Sequence, residues 1–267
     1  MRKYWLILLM SISFTGLAYA VGLDSNTKLM LHMDGVDGAV ATTDVSDAPH
    51  AITFGGTAQL DTAQYKWATQ YGASSLLLDG DSDYLTAADS TDWDICATAD
   101  ENWTIDFWIS LTTHAGAYDG FVSQVTDGNN GWWIAHAHGS GISFDVWSGG
   151  GSAIATGSGG EITDSNWHHI ALCRVGSKYA IYKDGVQVNY TDDASTFSST
   201  GLLQIGAWDN GEASYRGFVN GYIDELRVQK SNYFNASPNV GLTNTIGVPG
   251  RAYERYADNV SNFGAEF

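Results

Sequence analysis

The sequence predicts an all-β protein, an antiparallel sandwich or barrel, on three observations. Short runs of alternating apolar residues recur along the chain, Asp-Gly and Gly-rich turn signals separate them, and no helical periodicity of useful length precedes residue 240. Composition agrees. Six of the 30 acids are Glu and the other twenty-four are Asp, with 31 Gly and 3 Pro. Asp and Gly favour tight turns, whereas Glu favours helices.

In order, residues 28–33 (KLMLHM) lead into a DGVDG turn and 75–78 into DGDSD. Runs 104–110, 132–138 and 142–147 alternate, so each should bury one face and present the other. Residues 170–175, 179–182, 202–205 and 221–228 complete the predicted strands. The segment GGGSAIATGSGGE (149–161) reads as a flexible loop. Beyond Pro238 the pattern changes: NVGLTNTIGVPG is loop-like, and RAYERYADNV can form one short helix with Ala252, Tyr253, Tyr256 and Val260 on one side. Packing of this C-terminal extension (239–267) on the sandwich is the default expectation, and contact with a protein partner is the alternative.

The first twenty residues read as a secretory signal. Arg2 and Lys3 form a positive n-region, 5–14 is an apolar core too short to span a bilayer, and Ala18-Tyr19-Ala20 is an A-x-A cleavage site. The mature chain is expected to begin at Val21 and to be secreted, with no transmembrane segment. Loss of the leader's two positive charges moves the formal charge from −18 to −20. That field disfavours nucleic acid and anionic membrane surfaces as partners. Two cysteines, Cys96 and Cys173, do not make a disulfide framework, and Cys173 in its strand-like run reads as a small buried apolar residue.

Six stretches taken in order, KLMLHMDGVDG, SSLLLDGDSDYLTAADSTDWDI, ENWTIDFWISL, NWHHIALCRVGSKYAIYKDGVQV, LLQIGAWDN and GYIDELRVQKSNYF, resemble the concanavalin A-like lectin/glucanase superfamily, in particular its laminin G-like domains. The resemblance covers about 28–238. It implies a jelly roll of two curved antiparallel sheets, with a concave face and rim loops that bind ligand. In such a fold the Trp-His-His run at 167–169 opens a sandwich strand. Adjacent strand residues point to opposite faces, so His168 and His169 cannot share one ion.

Three chemistries come into question: hydrolysis, metal binding and sugar binding. A retaining glycosidase needs two carboxyls about 5 Å apart, and the glucanase branch carries them as alternating acids on one strand. No run here matches: Asp79, Asp81 and Asp83 sit in a turn, and Asp224 and Glu225 are adjacent. The expectation is therefore a non-catalytic protein. The DGDSD stretch is not an EF-hand, having Tyr84 at the glycine place and Ser90 at the bidentate Glu place. The resemblance implies instead a structural calcium joining the exit of the first strand to the last strand, with Asp34 or Asp37 and Asp224 as ligands. For sugar binding, strand parity places Trp133, Asp145 and Trp147 together on the face opposite Ile142, Phe144 and Val146. Trp208 and Asn210 form a second candidate at the rim. The expected function is a secreted binding module for a carbohydrate or glycoconjugate, with a structural or adhesive assembly protein as the alternative.

Overall fold

The computed structural model describes residues 22–113, 117–209 and 215–255. The expected leader, Asn210 and residues 256–267 lie outside them. The chain is an all-β, two-sheet antiparallel jelly-roll sandwich. One sheet has seven strands in the order Gly151–Ala155, Gly141–Ser148, Asn130–Ala137, Tyr118–Asp127, Leu203–Ile205, Tyr84–Ala87 and Ile52–Gly55. The other has nine and is centred on the long strands His168–Gly176, Glu101–Thr113 and Asn220–Gln229.

The core lies between the sheets and follows from alternation. Along Glu101–Thr113, Trp103, Ile105, Phe107, Ile109 and Leu111 point inward and are buried. Opposite them the seven-stranded sheet contributes Phe121, Val122, Trp132, Ile134, Ile142, Phe144 and Val146. Phe107 meets Phe121 edge-on at 5.5 Å, and Phe144 stacks on Tyr179 at 5.5 Å. Cys96 lies in this core as a free thiol, and burial pushes its pKa up to about 12.

The outer face of the nine-stranded sheet is buried as well. Ala171, Cys173, Ala180 and Tyr182 form a second apolar cluster with Phe234, Ala236 and Ile246, which arrive from the C-terminal segment. Cys173 is a free thiol in this second cluster, so the two cysteines occupy different cores. Beside it sits a charged network. Arg227 donates from Nε and Nη2 to Asp106 Oδ1 at 2.9 and 2.8 Å. His169 Nε2 lies 3.1 Å from Asp106 Oδ2, which also accepts the Tyr253 hydroxyl. The guanidinium is stacked over the rings of Tyr233 and Tyr253 at 3.5 and 3.9 Å.

The Trp-His-His pair divides as strand geometry requires. His169 is buried against Asp106, while His168 is half-buried at the strand's entrance, 2.6 Å from Asp184 and 3.1 Å from Asp164.

Two expectations are corrected. Within the expected loop 149–161, Gly151–Ala155 is an edge strand paired with Gly141–Ser148, because Ile154 is 1 % exposed and anchors it in the core. The expected helix at 251–260 is not present over its described part. Residues 251–253 are irregular, and Glu254–Arg255 pairs in parallel with Gly22–Leu23. The reason is tertiary: Tyr253 is tied down at both ends, its amide donating to Glu225 Oε2 at 2.8 Å and its hydroxyl to Asp106. Those anchors hold the chain extended across the sheet.

Candidate functional site: an indole groove on the seven-stranded sheet

Trp133, Asp145 and Trp147 lie on the outer face of the seven-stranded sheet, as parity predicts. Asp145 and Trp133 face each other across neighbouring strands, and Trp133 Nε1 donates to Asp145 Oδ2 at 2.9 Å. Ser143, two residues along the same face, donates its hydroxyl to that oxygen at 2.6 Å. Neither bond uses Oδ1. Trp208 joins the group: its ring stands perpendicular to Trp133 at 4.8 Å and lies 6.5 Å from Trp147, and Trp147 is 5.4 Å from Trp133. Tyr118, 45 % exposed, stacks on Trp133 at 5.7 Å. The three indoles are each half-buried.

Glycines make room for these rings. Gly131 faces Trp147 across the strand pair, and a Cβ there would meet Trp147 Cζ2 at 2.8 Å. Gly217, in the left-handed region at φ +56, underlies Trp208 so closely that a Cβ would meet Nε1 at 2.8 Å. The two glycines therefore let these rings sit close against backbone at half-buried surface positions. Four aromatic faces beside a carboxylate with an open oxygen can stack on the apolar face of a sugar ring and accept from its hydroxyls.

Tyr118 escaped the sequence reading. The run YDGFVSQVTD looks like a turn because of its Asp-Gly, yet Tyr118–Asp127 is a strand with an irregularity between Gly120 and Val122. Apolar residues at 121, 122 and 125 were the available signal. Asn210, the second rim candidate, lies outside the described residues.

The expected calcium ligands each accept hydrogen bonds from neighbouring groups. Asp37 accepts from the Thr62 amide and hydroxyl at 3.2 and 3.4 Å. Asp34 accepts from the Thr69 hydroxyl and from the Ser74 amide at 3.2 Å. Asp224, fully buried, accepts amides of Lys66 at 2.7 Å, Trp67 at 3.3 Å and Glu225 at 2.8 Å. The three carboxylates do not gather one oxygen each within 4.8 Å of one another. Burial raises the pKa of Asp34, and burial with Glu225 and Asp34 nearby raises that of Asp224 well above the usual carboxylate range. Asp34 and Asp224 thus share a crowded, desolvated region with Glu225, while Asp37 is engaged at Thr62.

Comparison with known proteins places this architecture. A family model of the concanavalin A-like lectin/glucanases superfamily, of laminin G type, matches residues 79–233. The chain belongs to that superfamily. No curated protein matches it. Among solved structures it is similar to domain 4 of AbnA, a GH43 extracellular arabinanase from Geobacillus stearothermophilus, in complex with arabinotriose. The identity is 17%, the TM-score 0.52, and the match covers 77% of this chain and 93% of that domain. It is also similar to the binding domain of Paraclostridial Mosquitocidal Protein 1, at 15% identity and TM-score 0.56, covering 79% of this chain and 53% of that one. The botulinum neurotoxin serotype C1 binding domain matches at 12% identity and TM-score 0.55, covering 78% and 49%. The chain spans about half the length of the two toxin domains. At these identities the likeness is one of fold.

Proposed function

We propose that the chain is a secreted, non-catalytic glycan-binding module whose sugar platform is the groove of Trp133, Trp147, Trp208 and Tyr118, with Asp145 as the hydroxyl-accepting group. The observation that carries this reading is the packing of four aromatic rings around one carboxylate on a solvent-facing sheet surface. A buried aromatic cluster would be core, whereas a partly exposed one rimmed by polar groups is a ligand surface. The solved neighbour bound to arabinotriose supports the class of ligand. The non-catalytic reading is supported by the sequence, where no strand carries the alternating acids of the glucanase branch, and by neighbours that are binding domains. The leader-like first twenty residues and the extracellular arabinanase neighbour support secretion.

The test is a glycan and polysaccharide array probed in calcium-containing buffer with the wild-type chain and with Trp147→Ala. Selective binding lost in the variant, with an unchanged circular dichroism spectrum, is the expected result. Binding that survives Trp147→Ala, Trp133→Ala and Trp208→Ala alike, or silence of the wild type across the array, would sink the assignment.

Calcium remains part of the proposal as a structural ion at the Asp34–Asp224 region, since a hard cation suits oxygen donors and relieves crowded buried carboxyls. Asp37, exposed and bonded to Thr62, is the alternative to Asp34. A melting temperature raised by millimolar calcium in wild type and not in Asp34→Asn supports it, and equal melting in calcium and in chelator rejects it.

A further inference from the structure

Among the described residues, one group of three His, Cys, Asp or Glu side chains brings one ligand atom each within 4.8 Å of the others: Asp119, His136 and His138. It is separate from the indole groove. His136 is the last inward-facing residue of its strand, opposite in parity to Trp133, and His138 lies in the turn that follows. Asp119 sits directly across from His136 on the neighbouring strand. The group closes one end of the sandwich, with Asp119 and His136 fully buried and the His138 side chain 20% exposed.

Two of the three ligand–ligand distances match a coordination shell, and all three ligand atoms lie within 4.8 Å of one another. Asp119 Oδ2 lies 3.3 Å from His136 Nδ1 and 3.3 Å from His138 Nε2. A tetrahedral ion with bonds of about 2.0–2.1 Å separates neighbouring ligand atoms by roughly 3.3 Å, whereas N–H···O hydrogen bonds cluster near 2.9–3.0 Å. The rest of the surroundings suits a metal-bound histidine. A metal-bound imidazole carries a proton on its other nitrogen and donates it to a carboxylate or carbonyl. His136 Nε2 lies 3.4 Å from Glu161 Oε2, a buried oxygen with no hydrogen-bond partner. Glu161 is itself held by the Gly139 amide at 3.0 Å. The Ile162 amide, 3.3 Å from the same Nε2, is the competing contact, and it favours the opposite tautomer in the metal-free chain.

We propose that Asp119, His136 and His138 bind a divalent transition ion of the zinc class, through Asp119 Oδ2, His136 Nδ1 and His138 Nε2, with Glu161 as the positioning carboxylate behind His136. Two imidazoles and one carboxylate are a borderline donor set suited to zinc and unsuited to calcium, which takes six to eight oxygens.

The test is isothermal titration of the chelator-stripped full chain with Zn²⁺, repeated with Co²⁺ to read the visible absorption of tetrahedral cobalt. His138→Gln is the main variant, since His138 is partly exposed and at a strand end. Asp119→Asn and Glu161→Gln follow. His50→Gln and His168→Gln are controls, because those rings also lie near paired carboxylates. One equivalent of zinc is expected, with affinity lowered at least about 10-fold in Glu161→Gln and more in His138→Gln, and unchanged in both controls. Nitrogen NMR of His136 in the wild type should show its proton moving from Nδ1 to Nε2 on zinc addition. No stoichiometric zinc, zinc binding untouched by His138→Gln, or loss in a control variant overturns the site.

Discussion

Arg227 is fully buried and bonded twice to an equally buried carboxylate, so it is the side chain on which the outer face of the large sheet depends most. Arg227→Met leaves the buried Asp106 without its guanidinium partner, held only by His169 and Tyr253, and breaking a buried pair from one side costs about 3–5 kcal/mol. The urea midpoint should fall accordingly, with an unchanged m-value, and a loss under about 1 kcal/mol would mean that water already reaches the pair. The same residues set the acid response. Burial pushes the Asp106 carboxyl up, but Arg227 and His169 outweigh it and hold it below the usual range. Its stabilisation is therefore present above the ordinary Asp value and is lost as pH falls through and below that value. Asp224 and Glu225 act in the opposite sense, since burial raises both. The folded chain holds their protons more tightly than the unfolded one, so stability rises as pH drops from neutral toward the ordinary carboxylate value. Urea midpoints measured against pH should peak on the mildly acidic side of neutrality and collapse below it. A peak at or above neutral pH would show that these two carboxyls do not dominate the acid response. None of this was legible in the sequence, where Asp106 and Arg227 are two ordinary charges 121 positions apart.

At the level of elements, alternation was the readable signal. Strands 130–137 and 141–148 turn Trp132, Ile134, Ile142, Phe144 and Val146 inward, and the opposite parity assembles Trp133, Asp145 and Trp147. Trp147→Ala should weaken glycan binding by roughly 30-fold, the equivalent of about 2 kcal/mol for a tryptophan anchor. Gly131→Ala should weaken it through the partner strand, by lifting the Trp147 ring off the backbone, without touching ligand itself. Titration of both variants with the best glycan of the array measures this, and wild-type affinity in Gly131→Ala would show that the ring does not need its glycine. His136 ends the inward parity of its strand and His138 follows in the turn beyond it, and that i, i+2 pair is plain in the run IAHAHG. Asp119 is not, because it lies in a strand whose Asp-Gly reads as a turn. Gly151–Ala155 is hidden for a related reason: a glycine-rich run masks a strand that one buried isoleucine holds in place.

For the whole molecule, the decisive feature is that both faces of the nine-stranded sheet are covered, one by the other sheet and one by residues from 232 to 253. Burying a side chain such as Ile246 stabilises by about 1.5–3 kcal/mol, and Tyr253 adds its bonds to Asp106 and Glu225. Truncation after Pro238 should therefore lower the unfolding free energy from urea melts by several kcal/mol and expose apolar surface to dye, even if the extension also serves a partner. A truncated chain as stable as the full one would show that the cover is dispensable. The sequence by itself determined an antiparallel sandwich or barrel and the faces its tryptophans present, through a two-residue period and turn chemistry that act between near neighbours. Its resemblance to laminin G-like domains pointed to the two-sheet jelly roll. Only the tertiary structure decided that 251–255 is extended, that Asp106, Arg227, His169 and Tyr253 form one buried network, and that Asp119 meets two histidines. Those outcomes depend on contacts between residues far apart in the chain, where burial and hydrogen bonding outweigh the local preferences a sequence displays.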